Sequence, residues 1–535
     1  MGQSSRRLAV KFCIAAGIAI LASTAFAQRG ESPRQWYAAG AAELQQALQL
    51  QPNDNHARNV ILFIGDGMGI STVTAARIFD GQLRGESGEE NSLAFEQLPY
   101  LALAKTYEVN QQVPDSAGTM TAIMTGVKTD VGLIGLNQNA QRANCKSAKG
   151  NALQTFLEQA AKAGKSTGVV TTTRVTHATP AATYAHTPER DWESDTDMPQ
   201  DARDQGCTDI AQQLLDFSYG GGIDVVLGGG RGKFMPNTAP DPVDGAMGER
   251  SDKRDLTVEW TKKYHNAAYV WSAKQLAAVD PRKTDHLLGL FARGHMSFDS
   301  DRKKNGDIEP SLTEMTKKAI DILQRNPEGF FLMVEGGRID QAHHMGNAYH
   351  ALDETREFAA AVRAALRATD SKDTLIIVTA DHSHTLTIAG DPKRGNPILG
   401  KALGNGDPGK PLNQPLLALD ERPYTTLNYI NGPGAIAVRD ATPDADGKYE
   451  RARRDLTNVD TTKPDYMQQA LIPLRSESHS GEDVPIYAGG PWAQLFHRTV
   501  EQNYIYQVMR YAAFDSPKPA TGKGKKSTKK SMPAR

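Results

Sequence analysis

Five short apolar runs punctuate the chain: Val60–Ile64, Thr167–Val170, Val225–Leu227, Phe330–Val334 and Leu375–Val378. None alternates polar with apolar residues, and each is about the length of a strand. Such runs suit a parallel sheet buried on both faces, where neither side tolerates polarity. Stretches with apolar residues at helical spacing lie between them: Leu153–Ala163, Leu312–Leu323 and Leu352–Leu366. This alternation predicts an α/β fold with a large, mostly parallel central sheet and helices on both faces. Ala389–Asn428 is rich in Gly, Pro and Asn. It reads as an irregular insertion, because strand-like sequence resumes at Ala435–Val438. Thr187–Gly206 is polar and acidic and reads as a surface loop.

The two ends differ from this body. Residues 1–27 carry Arg6, Arg7 and Lys11, then the apolar stretch Phe12–Ala22, then Ala25-Phe26-Ala27. That order is the pattern of a cleaved secretory signal, and the apolar stretch is too short to span a bilayer. Ser5-Arg6-Arg7 partly matches a twin-arginine signal, with Ala9 where an aromatic is usual, so both export routes fit. The protein is therefore expected in the periplasm or secreted. Residues 515–535 carry Lys518, Lys523, Lys525, Lys526, Lys529, Lys530 and Arg535 with almost no apolar residues, and read as a basic disordered tail. Residues 28–514 are left as one catalytic body.

Composition narrows the class. Over 535 residues, 61 Lys+Arg against 62 Asp+Glu exclude a generally basic nucleic-acid binder. No apolar run reaches the length of a spanning helix. Once Cys13 leaves with the signal, Cys145 and Cys207 remain. An even pair in an oxidising compartment favours a disulfide, two buried thiols being the alternative.

Chemistry gathers at the ends of three runs. Val60–Ile64 leads to Asp66, Phe330–Val334 to Glu335, Asp340, His343 and His344, and Leu375–Val378 to Asp381, His382 and His384. Ligands of open parallel sheets sit beyond the carboxyl ends of the strands. Carboxylates brought together there cannot all stay ionised unless cations join them. Mixed Asp and His sets suit zinc, and all-oxygen sets suit magnesium. Asp340 and His344 are four apart, so on a helix they share a face. In Pro114-Asp115-Ser116-Ala117-Gly118, Ser116 at a helix start has a positive field and free N–H groups able to hold a phosphate oxygen. A plain helix cap is the other use of such a serine. The run Gly228-Gly229-Gly230-Arg231-Gly232-Lys233 lacks the spacing of a phosphate loop and reads as tight turns.

Together, Asp66-Gly67-Met68-Gly69, Asp115-Ser116-Ala117, Asp340 with His344, Asp381-His382 and Ser478-His479-Ser480-Gly481-Glu482-Asp483-Val484 resemble the alkaline phosphatase family, in order and separation, over most of residues 58–512. The resemblance implies a phosphate monoester hydrolase with a phosphoserine intermediate, a broad substrate range and an alkaline optimum. It implies a homodimer with two Zn2+ and one Mg2+ per subunit. By motif, Asp340, His344 and His479 would hold one zinc, and Asp66, Asp381 and His382 the other, facing Ser116. Magnesium would take Asp66, Thr179 and Glu335. Arg190 matches the arginine that clamps substrate phosphate, with Asp115 and His177 behind these groups. His177 resembles the animal and some marine bacterial members. Cys145 and Cys207 fall where animal-type members carry a disulfide. Those members also bind calcium through a Glu after Gly-Leu-Phe, where Ala292 stands here, so that site is not expected. His343 and His384 read as supporting or surface residues.

Two other functions fit part of this pattern. A phosphodiesterase or sulfatase of the same superfamily is less well served by Arg190 and a magnesium site, which suit dianionic monoesters. A non-catalytic exported protein binding metal or phosphate would not need a nucleophile beside a full ligand set.

Overall fold

In a computed structural model, the residues described are 32–304, 306, 308–407, 409–435 and 453–517. The expected signal, nearly all of the basic tail, and the strand expected at Ala435–Val438 beyond its first residue lie outside them. Helix α1, Pro33–Leu48, forms a unit by itself and is exposed along its whole length.

The remaining unit is built on one sheet. Its strands are β1 (Asn59–Gly65), β2 (Tyr100–Lys105), β3 (Ser166–Arg174), β4 (Val225–Gly229), β5 (Ala267–Val270), β6 (His286–Leu290), β7 (Phe330–Gly336) and β8 (Thr374–Thr379). Four short strands follow, β9 (Ser383–His384), β10 (Leu386–Ile388), β11 (Leu427–Gly432) and β12 (Ala470–Pro473), then β13 (His479–Ser480), β14 (Val484–Gly489) and β15 (Thr499–Glu501). The large sheet has ten strands in the order β15-β2-β14-β8-β1-β7-β3-β4-β6-β5. Strands β8, β1, β7, β3, β4, β6 and β5 run parallel, while β14 is antiparallel to both of its neighbours. Each of the five apolar runs becomes one of the parallel strands. β1, β7 and β8 are buried at every position, which explains why their sequences do not alternate.

Helices cover both faces. The pertinent ones are α2 (Ile70–Leu83), α3 (Ser116–Thr125), α4 (Phe156–Lys162), α5 (Ala178–Ala181), α6 (Leu312–Leu323), α7 (Arg338–His344) and α8 (Ala348–Ala368). Val60 pairs with Phe331, so Phe63, three residues on, points to the opposite face from Phe331. Phe358 of α8 packs edge-on against Phe63, and Phe156 of α4 against Phe331. The two helices therefore lie on opposite sides of the sheet. α6 forms where expected. Ser311 and Glu314 make a reciprocal capping box, and Leu312, Met315, Ala319, Ile320 and Leu323 supply a buried stripe at helical spacing.

Among the described residues, Ala389–Thr426 has no regular strand or helix, as its composition predicts, and it joins β10 to β11 of a three-stranded sheet ordered β10-β11-β12. Thr187–Gly206 departs from the expectation of a surface loop. Trp192, Glu193, Ser194, Asp195, Met198 and Ala202 within it are buried, and Asp195 and Glu193 are paired by Ser251 and Arg174. Glu193, Asp195 and Asp197 are bonded internally, which composition alone does not distinguish from solvation.

Phe358 is fully buried between Phe63 and Phe95, and a Cβ on Gly336 would lie 2.9 Å from its ring. Phe358→Ala should cost about 3–5 kcal/mol by leaving a cavity on the sheet face. Denaturant unfolding monitored by fluorescence checks this, and a loss below ~1 kcal/mol contradicts the packing described.

Candidate active site

Three adjacent parallel strands end at one level. Ile64 pairs with both Thr379 and Glu335, and Glu335 also pairs with Thr171. Asp66 and Asp381 each follow two residues beyond these pairs, so the sheet register itself brings the three acids together. α7 begins just after β7 and presents Asp340 and His344 one turn apart. His479 arrives from far along the chain through the two-stranded pairing of β13 with β9, opposite His384. Its ring stacks on His382 with centroids 3.6 Å apart.

Two sets of ligand atoms result. Asp340 Oδ1 lies 3.3 Å from His344 Nε2 and 3.4 Å from His479 Nε2, and the two imidazole nitrogens are 3.2 Å apart. His382 Nε2 lies 3.4 Å from Asp66 Oδ1 and 3.4 Å from Asp381 Oδ2. A tetrahedral zinc with bonds of about 2.0–2.1 Å holds its ligand atoms about 3.3 Å apart. Both sets have that spacing. Asp66, His177 and Glu335 form a third group, with ligand atoms within 4.8 Å of one another. Thr179, buried in α5, lies beside the Glu335 carboxyl.

Ser116 opens α3, capped by Asp115, whose Oδ1 accepts the Gly118 N–H. The serine hydroxyl is buried, 3.1 Å from His382 Nε2. Asp115 Oδ2 accepts the Gly132 N–H at 3.1 Å and Arg190 Nη1 at 2.9 Å. Arg190 Nη2 donates to His177 Nε2 at 3.3 Å. The carboxylates, imidazoles, serine and arginine singled out as site residues thus fall in one connected region.

The electrostatics favour cations there. Burial, then the charges of Asp381, Asp340 and Glu335, push the Asp66 carboxyl well above the usual range. Burial pushes Glu335 up to about 7. Burial also works against the charge of Asp340, but His344 and His384 beside it hold it well below the usual range. Burial and His479 depress His382, leaving a neutral imidazole able to bind metal. Both oxygens of Asp66, Oδ2 of Asp381 and Oε1 of Glu335 are buried without a hydrogen-bond partner. Unpaired buried carboxylate oxygens are costly, and metal ligation is what satisfies them. The residues present therefore fit divalent cations.

Several supporting groups had no clear signal in the sequence. His343 and His384 are fully buried rather than on the surface. His384 donates to Asp340 Oδ1 at 2.8 Å and to Glu477, while His343 sits between the hydroxyls of Thr72 and Tyr429. Glu477 also accepts the N–H and O–H of Thr385, both at 2.6 Å. It lies two residues before His479, the one hint the sequence offered. Thr171 and Thr173 donate to Glu335, and Gln502 donates to the Asp381 carbonyl at 2.6 Å. Cys145 and Cys207 form a disulfide packed against Trp192 and Met198.

Comparison with known proteins agrees with this arrangement. A family model described as Alkaline phosphatase matches residues 57–514. The tissue-nonspecific alkaline phosphatase isozyme of Gallus gallus is 46% identical over 498 residues, covering 92% of this chain and 91% of that protein. The human tissue-nonspecific isozyme is 44% identical over 495 residues (91% and 89%), and the alkaline phosphatase of Gadus morhua 45% over 498 residues (91% and 98%). Among solved structures, the alkaline phosphatase of Thermus thermophilus superposes with a TM-score of 0.60 at 25% identity, covering 88% of this chain and 94% of that one.

The crowding of acids makes stability depend on cations. Dialysis against a chelator should lower the melting temperature, and restoring zinc should raise it again. With free cation at about 100 times its Kd, the gain is about 2.7 kcal/mol per site. A melting temperature indifferent to chelator and zinc would remove the cations from this reading.

Proposed function

Because the chain belongs to the alkaline phosphatase family, we propose that it is an exported enzyme hydrolysing a broad range of phosphate monoesters through a phosphoserine on Ser116, with an alkaline optimum, as a homodimer. Phosphate monoester hydrolysis is its reaction class and the family is metal-dependent; the assignments below are ours. The observation that carries the reading is the Ser116 hydroxyl 3.1 Å from His382 Nε2, beside an arginine fixed by the neighbouring Asp115.

We assign Asp340, His344 and His479 to one Zn2+, Asp66, Asp381 and His382 to a second, and Asp66, Thr179 and Glu335 to a Mg2+. When bound, these cations supply the positive charge that lowers the pKa of a hydroxyl or water and balances charge on an alcohol leaving oxygen. The protein's own groups do the rest. Arg190 donates one N–H to Asp115 and one to His177, and the second N–H of each terminal nitrogen is left for two oxygens of the dianion. Neutral His177 adds no competing charge, because burial and then Arg190 keep it deprotonated. Ser116 Oγ attacks phosphorus in line, the P–O bond to the alcohol breaks, and the alcohol takes up a proton. Water then attacks phosphoserine from the vacated side, its O–H proton is lost, and Ser116 regains its own on release of phosphate. Deprotonated water is the better nucleophile, so turnover rises with pH. Every group in this scheme engages phosphate, so the alcohol is weakly selected.

Ser116→Ala should abolish the acid-trapped phosphoenzyme and lower kcat/KM at least about a thousandfold on a chromogenic monoester. Phosphate still trapped on the variant would refute the assignment. A rate on diesters equal to that on monoesters would favour the phosphodiesterase reading instead. For export, the mature protein recovered outside the cytoplasm should begin at Gln28, as N-terminal sequencing would show. An intact residue 1 there would reject a cleaved signal.

A further inference from the structure

Glu108 lies on the turn after β2, seven residues before Asp115, and is buried. Its Oε1 accepts the backbone N–H of Asp115 at 3.1 Å. A Cβ on Gly118 would lie 2.2 Å from that same oxygen, so the carboxyl presses against the first turn of α3, where only glycine leaves room. Its Oε2 is buried without a hydrogen-bond partner. Asp115, in front of it, gathers the Gly118 cap, the Gly132 N–H and the Arg190 guanidinium, and its carbonyl takes the N–H and O–H of Thr119. One aspartate therefore orients both Ser116 and Arg190, and Glu108 is the group that holds its backbone from behind.

We propose that Glu108 is a positioning residue for substrate phosphate: it fixes Asp115, and through Asp115 sets the direction in which Arg190 faces the substrate. Two carboxyls this close divide the charge between them. Burial works against Asp115, but Arg190 brings it down to about 2. Burial, then the charge of Asp115, pushes Glu108 up to about 9. Asp115 is thus the ion and Glu108 the neutral acid, facing Asp115, Arg190 and, more distantly, Lys128. A neutral acid holds the Asp115 N–H without competing for the guanidinium, which an ionised one would do.

The proposal rests on Arg190 being the phosphate clamp, and a double-mutant cycle separates the two ideas. Metal-loaded Glu108→Ala, Glu108→Gln, Arg190→Ala and the Glu108→Ala/Arg190→Ala enzyme are compared for KM, kcat and the inhibition constant of inorganic phosphate. Glu108→Ala should raise KM and the phosphate inhibition constant about fivefold, the value of one lost hydrogen bond, with kcat within about twofold. Glu108→Gln keeps a neutral acceptor and should stay within about twofold of the parent. In the Arg190→Ala background, Glu108→Ala should add nothing. If Glu108→Ala fails to fold, Glu108→Asp, with the acceptor drawn back by one methylene, should show the same direction. Loss confined to kcat, a Gln variant as poor as Ala, or full additivity with Arg190→Ala overturns the proposal. If Arg190→Ala leaves phosphate inhibition unchanged, the clamp assignment itself fails and this one falls with it.

Discussion

The arrangement of this protein turns on the repulsion among four buried carboxylates: Asp66, Glu335, Asp340 and Asp381. Two like charges about 4 Å apart repel by about 4 kcal/mol at an effective dielectric of 20. Several such pairs would consume most of the roughly 5–15 kcal/mol that separates folded from unfolded domains. A sequence selected for stability alone would not place them at the ends of three adjacent strands. Their burial is tolerable where positive charge joins them, and the imidazoles of His344, His382 and His479 stand at the spacing a cation needs. The stiff sheet makes the cluster durable, because each acid is tied to a strand whose register is fixed by neighbours on both sides.

That same register explains what could be read from the chain beforehand. Val60–Ile64, Phe330–Val334 and Leu375–Val378 are apolar throughout because both faces are covered, and the acids follow immediately because the strands stop at the rim. Local rules therefore gave the fold class and the acids at the rim, while His479, Thr179 and Arg190 were named only through the family resemblance. The edge strands were harder. Tyr100–Lys105 and Thr499–Glu501 are partly exposed, so neither shows the throughout-buried run that marks the central strands. The groups that escaped notice share another trait. Glu477 and Thr171 act through partners distant in sequence, Glu108 through one seven residues on, and their own neighbours carry no spacing that announces them. His384 reads as a supporting or surface residue, and the antiparallel pairing with His479 makes it a supporting one by putting it against Asp340. Thr187–Gly206 looked solvated because composition counts charges and not their bonds. In the fold those charges are spent on Arg174, Ser251 and Lys233.

Arg190 is held differently from the acids. Arg190 sits on irregular chain, where backbone pairing alone gives little stiffness. Three ties compensate. Its N–H donates to the Gly132 carbonyl at 3.1 Å, and the adjacent Glu189 takes a bidentate fork from Arg142. Two residues beyond, Trp192 packs on the Cys145–Cys207 disulfide, which closes a loop of 62 residues around the whole segment. Cross-links across long loops remove the most unfolded-state freedom, in the chain-entropy account. The disulfide therefore bears on the placement of Arg190 as well as on stability. It closes the segment that carries Arg190, while Asp115 limits the direction of the guanidinium. A rigid sheet for the acids and a tethered loop for the arginine are two solutions to one requirement: charges of opposite sign must stay fixed a few ångströms apart without collapsing onto each other before substrate arrives.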